Sequence, residues 1–168
     1  MRALYLLSVW LHVLAAIAWV GGMAFLVLVV VPWLRGSGQA NAVAFLRETG
    51  ARFRAVAWVC FGIVLLTGTT NLWLRGVRMR DVVDPAWLAS PFGVAVLAKL
   101  TVFVVVLGLS AVHDFVVGPR ATAAMGVGTR TPEALRLRRW ASWIGRANTL
   151  LALLLVALGV ILVRGWPW

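Results

Sequence analysis

The amino-acid sequence predicts an all-α integral membrane protein, folded as an antiparallel bundle of four transmembrane helices. Two observations predict this class. First, 62% of the 168 residues are hydrophobic, 12% are charged and the mean hydropathy is +0.96, far from the average of soluble domains. Second, four long apolar stretches lie near 3–34, 53–74, 92–117 and 140–163, and about 20 apolar residues cross the hydrocarbon. We therefore expect residues 1–168 to form a single transmembrane domain.

The first apolar stretch contains His12, an ionisable side chain in a segment that is otherwise uncharged after Arg2. Polar groups inside a membrane are costly and usually face a protein interior or water, so His12 is a candidate functional residue. The stretch is longer than the apolar part of a secretory signal and lacks a small-x-small cleavage site, so we expect a retained span. After it we expect a short amphipathic surface helix, near 39–48, that stops at Gly50.

The second and third spans also carry polar side chains. The second span contains Cys60 and has Thr67 and Asn71 near its end. The third span contains Lys99 about two turns from its start and closes with the segment 113–120, HDFVVGPR. Ionisable groups inside a span are functional candidates for the same reason as His12.

The fourth span is expected to form the end of one long helix. Thr131, Pro132 and Glu133 are typical of a helix start, with a cap, a proline at the first helical position and an acid that favours the helix dipole. We find no stop signal before Gly165. A long basic N-terminal extension should therefore lead into the span, and its arginines are Arg136, Arg138 and Arg139.

The distribution of arginines predicts the orientation. Most of them lie in or beside the two connections that follow the first and third spans. By the positive-inside rule these connections are cytoplasmic, which leaves both termini periplasmic in a bacterial inner membrane. The formal charge of +11 is explained by this topology and by anionic lipids at the cytoplasmic face of the bilayer, so we expect no nucleic-acid partner.

A weak internal repeat relates the two halves of the chain. The first and third spans both end in valines, a proline and an arginine, and aligning Pro32 with Pro119 places His12 on Lys99. The halves are therefore interpreted as two helical hairpins in parallel repeat. Because the first and third spans must run in the same direction, His12 and Lys99 should lie at equal depth.

Helical geometry sorts the polar residues into two levels. The outer level contains His12, Lys99, Thr67 and Asn71. The inner level contains Met23, Cys60, His113, Asp114 and Asn148. The two histidines should lie roughly 20 Å apart along the membrane normal, because a helix rises 1.5 Å per residue. We therefore do not expect them to bind one metal ion or one haem together.

Each ionisable candidate also has a structural interpretation. His12 can be a hydrogen-bonded structural residue, and Lys99 can extend its ammonium to the outer surface. His113 and Asp114 can stabilise the cytoplasmic boundary by pairing with an arginine, and the arginines in range are Arg52, Arg54 and Arg120.

The two sulfur-containing residues have the same two interpretations. Cys60 is the one cysteine of the chain, which excludes an internal disulfide and leaves a packing residue or a metal ligand. Met23 can likewise be an ordinary packing residue. However, a thioether and a thiolate together with an imidazole suit Cu(I), and by helical count Met23, Cys60 and His113 face one another.

Several segments together resemble the copper resistance D (CopD) domain family, and the resemblance covers all four spans. These segments are 11–22 (LHVLAAIAWVGG), 52–54 (RFR), 67–71 (TGTTN), 99–100 (KL) and 113–120 (HDFVVGPR). The resemblance implies a small membrane bundle that handles copper. A fainter likeness, carried by His12, Lys99, His113 and Arg120, is to HemJ, a membrane protoporphyrinogen oxidase that carries haem b. The spacing from the lysine to the second histidine is longer here, and the second span does not resemble HemJ.

Three functions follow from these observations. The preferred one is copper handling, with His12, Lys99 and Asn71 at a periplasmic entrance and Met23, Cys60 and His113 at an inner station. Its candidate partners are a periplasmic copper protein and a second copy of the chain.

The alternative is a haem b redox protein, either an electron carrier or an oxidase, with His12 as axial ligand and Lys99 opposite it. The third is an assembly partner whose polar groups only fasten helices. We expect neither hydrolytic nor nucleotide chemistry, because the sequence contains no Ser-His-Asp set, P-loop, catalytic carboxylate pair or CxxC motif.

Overall fold

The computed structural model describes residues 2–36, 39–127 and 131–165. In this part of the chain the regular elements are all helical, and no strand occurs. The elements are α1 (Arg2–Phe25), a π-helical turn (Leu26–Val30), α2 (Val31–Gly36), α3 (Gln39–Leu74), a 3-10 turn (Asp81–Val83), α4 (Pro85–Ala89), α5 (Pro91–Val112), a second π-helical turn (His113–Val117), α6 (Gly118–Val127) and α7 (Pro132–Arg164).

Four of the described helical segments are long and apolar enough to cross a membrane: Arg2–Trp33, Arg47–Leu74, Pro91–Ala121 and Pro132–Arg164. The first packs mainly against the second, and the third against the fourth, so the bundle consists of two hairpins. All four contribute to one buried core, which includes Trp19, Phe61, Phe103 and Ala152. The predicted fold class, an all-α four-helix membrane bundle, is confirmed.

The outside of the bundle is covered by large apolar side chains. Ile17, Leu66 and Val104 are each more than half exposed, at 61%, 69% and 65%. A soluble protein rarely exposes apolar surface of this extent. In a bilayer the same side chains contact lipid tails, so the surface matches the membrane that the composition predicts.

The two π-helical turns support the internal repeat. Leu26–Val30 and His113–Val117 are related by the same offset as Pro32 and Pro119. A proline has no N–H and cannot continue the regular α-helical ladder, so the backbone rearranges just before it. In both turns the following residue donates its N–H to the first carbonyl of the turn, Val31 to Leu26 and Gly118 to His113.

Two connections differ from the sequence-based expectation. The predicted surface helix that stops at Gly50 is wrong, because α3 continues from Gln39 to Leu74. An ion pair between Glu48 and Arg52 at 2.7 Å spans the glycine, and one glycine costs a helix only about 1 kcal/mol. The third span was expected to end near residue 117, but the chain continues as α6, Gly118–Val127, a segment in which alanines favour the helix.

The long last helix begins as predicted. Thr131 is the N-cap of α7, and its side-chain oxygen accepts a hydrogen bond from the Ala134 N–H at 3.2 Å. Pro132 occupies the first turn, and Glu133 is the acid in that turn. The helix then continues through the basic extension into the fourth span and ends at Arg164, where Gly165 adopts a positive φ of 86°.

Candidate functional site

His12 is held by the second span through a hydrogen bond between two side chains. Its Nδ1 lies 2.8 Å from Thr67 Oγ1, and the Thr67 hydroxyl donates to the Ile63 carbonyl at 2.6 Å. Since the single hydroxyl hydrogen is directed at Ile63, the oxygen accepts from the imidazole, and Nδ1 carries the hydrogen. The neutral ring therefore has its lone pair at Nε2, the atom that can bind a metal ion.

Lys99 lies in the same part of the bundle, close enough to His12 and Arg75 to interact with both electrostatically. Each of the two repeat-related side chains packs over a glycine of its own hairpin. The His12 Cε1 is 3.4 Å from the position that a Cβ would take at Gly68, and the Lys99 Nζ is 3.2 Å from the same position at Gly159. The two glycines thus leave the space in which the polar groups lie.

Asn71 and Ser8 extend this group, which we call the outer cluster together with His12, Thr67 and Lys99. Asn71 follows Thr67 by one turn on α3, and its Oδ1 is buried without a hydrogen-bond partner in the described structure. Ser8 is 6% exposed, and its hydroxyl donates to the Thr67 carbonyl at 3.4 Å. A buried acceptor with no partner is rare in proteins, so Asn71 presents a free acceptor to whatever enters the cluster.

Sequence reasoning missed three members of this region. Ser8 was not identified, nor was the contact between Tyr5 and Arg75, in which Arg75 Nε donates to the Tyr5 hydroxyl at 3.0 Å. A signal was present, because Tyr5, Ser8 and His12 recur at helical spacing and form one polar stripe on α1. Arg75 also donates to the Leu162 carbonyl at 3.3 Å and so connects the first, second and fourth spans.

The inner level contains a second polar group, built around Asp114. Its Oδ1 lies 3.1 Å from His113 Nδ1, and its Oδ2 accepts from the Trp58 indole N–H at 3.1 Å. Arg54 Nη1 donates to the Asp114 main-chain carbonyl at 2.6 Å. The widened π-helical turn carries both His113 and Asp114. Trp58 was not among the sequence-based candidates, since tryptophans near a boundary are usually interfacial.

The other two arginines proposed to pair with Asp114 lie elsewhere. Arg52 forms its ion pair with Glu48, and its side chain is 79% exposed. Arg120 is exposed as well. Among the three candidate arginines, Arg54 is thus the one that hydrogen-bonds to Asp114 in the described structure, and it does so through the main chain.

Met23 and Cys60 belong to the buried core that Trp19, Phe61 and Phe103 also form. They are 9% and 6% exposed. His113 is not a member of this core, because its side chain is 36% exposed and bonds to Asp114. Within the described residues, no three His, Cys, Asp or Glu side chains converge as a metal site would require. The sulfur atoms therefore offer soft donors without a complete set of ligands.

Between the two levels lies a polar pair that joins the third and fourth spans. Asn148 Nδ2 donates to Ser110 Oγ at 2.9 Å, and the two residues are 8% and 6% exposed. The Asn148 Oδ1 has no hydrogen-bond partner in the described residues. Ser110 precedes His113 by three residues and shares its helix face, so the pair continues the inner level toward the outer cluster.

A groove of about 420 Å³ opens beside the end of α3. Its lining residues are Leu4, Thr69, Thr70, Trp73 and Leu74. None of them belongs to the outer cluster, so this groove is separate from His12 and Lys99.

Comparison with known proteins identifies the family. Residues 47–162 match the family described as copper resistance protein D (CopD). A protein of Aquifex aeolicus strain VF5, described as an uncharacterized protein, is 34% identical over 161 residues, which cover 95% of this chain and 96% of that protein. No solved structure matches. Since the family match spans well over half of the chain, this protein belongs to the copper resistance protein D family.

Proposed function

We propose that this protein binds copper inside the membrane and passes it across the bilayer, with His12 as the ligand of the outer cluster. The observation that carries the proposal is the hydrogen bond from His12 Nδ1 to Thr67, which leaves Nε2 free to bind. In metal sites a ligating histidine usually donates its other ring N–H to a fixed acceptor, which orients the ring. Membership of the copper resistance protein D family supports copper as the metal.

The proposed path begins at the outer cluster and ends at the inner level. Asn71 supplies a free acceptor one helical turn after Thr67, and Lys99 adds a basic side chain to the same cluster. Met23, Cys60 and His113 are the proposed inner donors, because thioether, thiolate and imidazole are the ligands that Cu(I) prefers. Cu(I) tolerates low coordination numbers, so small sets of donors along the bundle are suited to transient binding.

The setting of this activity is proposed from the distribution of arginines. We place the protein in a bacterial inner membrane with both termini periplasmic, and its basic cytoplasmic face against anionic lipids. A periplasmic copper protein is then the natural donor or acceptor at the outer cluster. A homodimer is a second proposed interaction.

Haem b is less well supported by the geometry of the outer cluster. The His12 ring lies directly over Gly68, and the residues that line the outer groove include neither His12 nor Lys99. A haem with His12 as axial ligand would need a wide space in front of Nε2, and the groove beside the end of α3 does not provide it. We therefore expect the purified protein to be colourless, without the Soret absorption band of haem.

Copper content measures the proposed function directly. Protein purified under reducing conditions from copper-supplied cells should contain copper, and His12→Ala and His113→Ala should each lose most of it. Metal analysis and an absorption spectrum of the same sample provide the readout. If both variants keep full occupancy, the polar residues only fasten helices, and the copper function is wrong.

Thr67→Val tests the orientation of His12 without removing it. Valine matches the shape of threonine but cannot accept from Nδ1, so we expect the affinity for Cu(I) to fall about 10- to 100-fold, as for other residues that orient a ligand. Competition with a Cu(I)-specific chelator measures the affinity. Thr70→Val is the matched control, because its hydroxyl donates only to the Leu66 carbonyl on its own helix. Equal affinities in the two variants would contradict the role of Thr67.

A further inference from the structure

The chain contains a single lysine, Lys99, and it lies inside the third span. Its Nζ is 3.2 Å from the position that a Cβ would take at Gly159 of the fourth span. The ammonium therefore points across the bundle, toward α7, and not into lipid. No hydrogen-bond acceptor or carboxylate binds it in the described residues.

Arg75 reaches the same stretch of α7 as Lys99, because the Leu162 carbonyl that it binds lies about one helical turn after Gly159. Its Nε and Nη1 are held by the Tyr5 hydroxyl and the Leu162 carbonyl. The guanidinium is thus fixed by two spans, and its second terminal nitrogen, Nη2, forms no hydrogen bond in the described structure. Two positively charged groups therefore reach the same stretch of α7, an arrangement that a negative charge between them would stabilise.

None of the acidic side chains, all of which the structure describes, supplies that negative charge. The chain contains five acidic residues. Three bind basic side chains and two belong to helix starts: Glu48 pairs with Arg52, Asp81 with Arg80, Asp114 with His113, Asp84 caps α4 and Glu133 lies in the first turn of α7. Charged residues inside a membrane bundle are normally paired, so Lys99 and Arg75 can accept a negatively charged group that is not an acidic side chain of the described residues.

We propose that Lys99 and Arg75 bind a phosphate group at the outer end of the bundle. The ammonium offers three N–H donors and the guanidinium has an unused nitrogen, and charge-assisted bonds of this kind suit the oxygens of a phosphate. The group can belong to a soluble phosphate from the outer side or to the headgroup of an anionic lipid. Lys99 also belongs to the outer cluster, but phosphate binding needs neither His12 Nε2 nor the sulfur atoms, so it can be tested without copper.

The test uses the full chain, purified in a non-ionic detergent and a phosphate-free buffer, with the midpoint of thermal unfolding as the readout. In one arm inorganic phosphate is titrated against sodium chloride at matched ionic strength. In the other arm phosphatidylglycerol is titrated against phosphatidylcholine in mixed micelles. We expect the midpoint to rise in at least one arm. A rise with inorganic phosphate alone indicates a soluble ligand, and a rise with phosphatidylglycerol alone indicates a lipid headgroup.

Substitutions locate the response. Lys99→Met keeps the apolar stem and removes the charge. We expect this variant to need at least about ten times more probe for the same rise in the unfolding midpoint. Lys99→Arg should retain the response. Arg78→Gln is the matched control, because Arg78 lies in the same connection but stacks on Trp73 at 4.3 Å, so this variant should respond as the wild type does.

Two results would overturn the proposal. One is that the unfolding midpoint of the wild type rises no more with inorganic phosphate than with sodium chloride, and no more with phosphatidylglycerol than with phosphatidylcholine. The other is a Lys99→Met variant that responds like the wild type, or, if that variant does not fold, a Lys99→Gln variant that does so. Copper is absent from both arms, so a negative result would contradict the phosphate site without contradicting copper binding. A failure of the copper experiments would likewise not contradict the phosphate site.

Discussion

Replacing Gly93 with alanine is expected to destabilise the protein by about 3 kcal/mol or more, the upper part of the range for overpacked sites. A Cβ at this position would overlap the Trp87 carbonyl oxygen, and it would also lie 3.1 Å from Ser90 Oγ. The obstacle is backbone, which cannot rotate away as a side chain can. The Gly93 N–H moreover donates to Ser90 Oγ, the N-cap of α5, at 3.0 Å. Unfolding in mixed detergent and dodecyl sulfate micelles measures the free energy.

Gly108→Ala is the matched control in the same helix. Nothing lies within 4 Å of a Cβ at this position, and alanine is a better helix former than glycine by roughly 0.5–1 kcal/mol. The same substitution should therefore stabilise the protein at Gly108 and destabilise it at Gly93. Effects of the same sign at both positions would show that the packing of α4 against the start of α5 is not as described.

Phe61→Ala is expected to lower the free energy of unfolding by roughly 3 kcal/mol, which is the lower end of the range measured when a buried phenylalanine is replaced by alanine. The value is low because a side chain that leaves the core enters lipid, which is also apolar, so little free energy of transfer is lost. Phe61 is 4% exposed. Its ring centroid lies 4.9 Å from that of Trp19, 5.5 Å from that of Trp58 and 6.1 Å from that of Phe103. Its removal opens a cavity where the first three spans meet.

Phe25→Ala provides the comparison for Phe61. Phe25 is 58% exposed and faces the lipid, which refills the space that a smaller side chain leaves. We expect a change below about 1 kcal/mol at this position. The same unfolding measurement applies to both variants, and a loss at Phe25 as large as that at Phe61 would contradict an aromatic core shared by the spans.

The two proposals place different chemistry in neighbouring parts of the outer end. His12 offers a neutral nitrogen donor, whereas Lys99 and Arg75 offer positive charge. Two cations close to a metal ligand disfavour a bare copper ion by electrostatic repulsion. A phosphate group bound between them would offset that repulsion, which gives the two sites a physical connection that the separate experiments can measure.

The four spans could be predicted because membrane insertion depends on a local property. A sufficiently long apolar stretch must form a helix in lipid, since every backbone polar group needs a partner within the segment. The repeat-related positions of Pro32 and Pro119 were visible for a similar reason, as a proline changes the helix that contains it. The stop at Gly50 was predicted wrongly, because an ion pair and neighbouring helical residues outweigh one glycine.

The site was predictable only in part. The helical periodicity assigned His12, Thr67 and Asn71 to facing stripes, because side chains three or four residues apart share a face. The tautomer of His12 could not be inferred from spacing, since it depends on where the Thr67 hydroxyl directs its hydrogen. The hydrogen-bond partner of Asp114 could not be predicted from spacing either, because Trp58 belongs to another span.

By itself the sequence determined that this protein is a membrane bundle of four helices, which ionisable groups lie within the spans, and that His12 and Lys99 occupy corresponding positions. These properties follow from composition and from distances along a helix. The tertiary structure alone decided which groups meet: His12 with Thr67, Arg75 with Tyr5, and Asp114 with Trp58. Such contacts depend on the rotation and separation of packed helices, which residues distant in the chain set together.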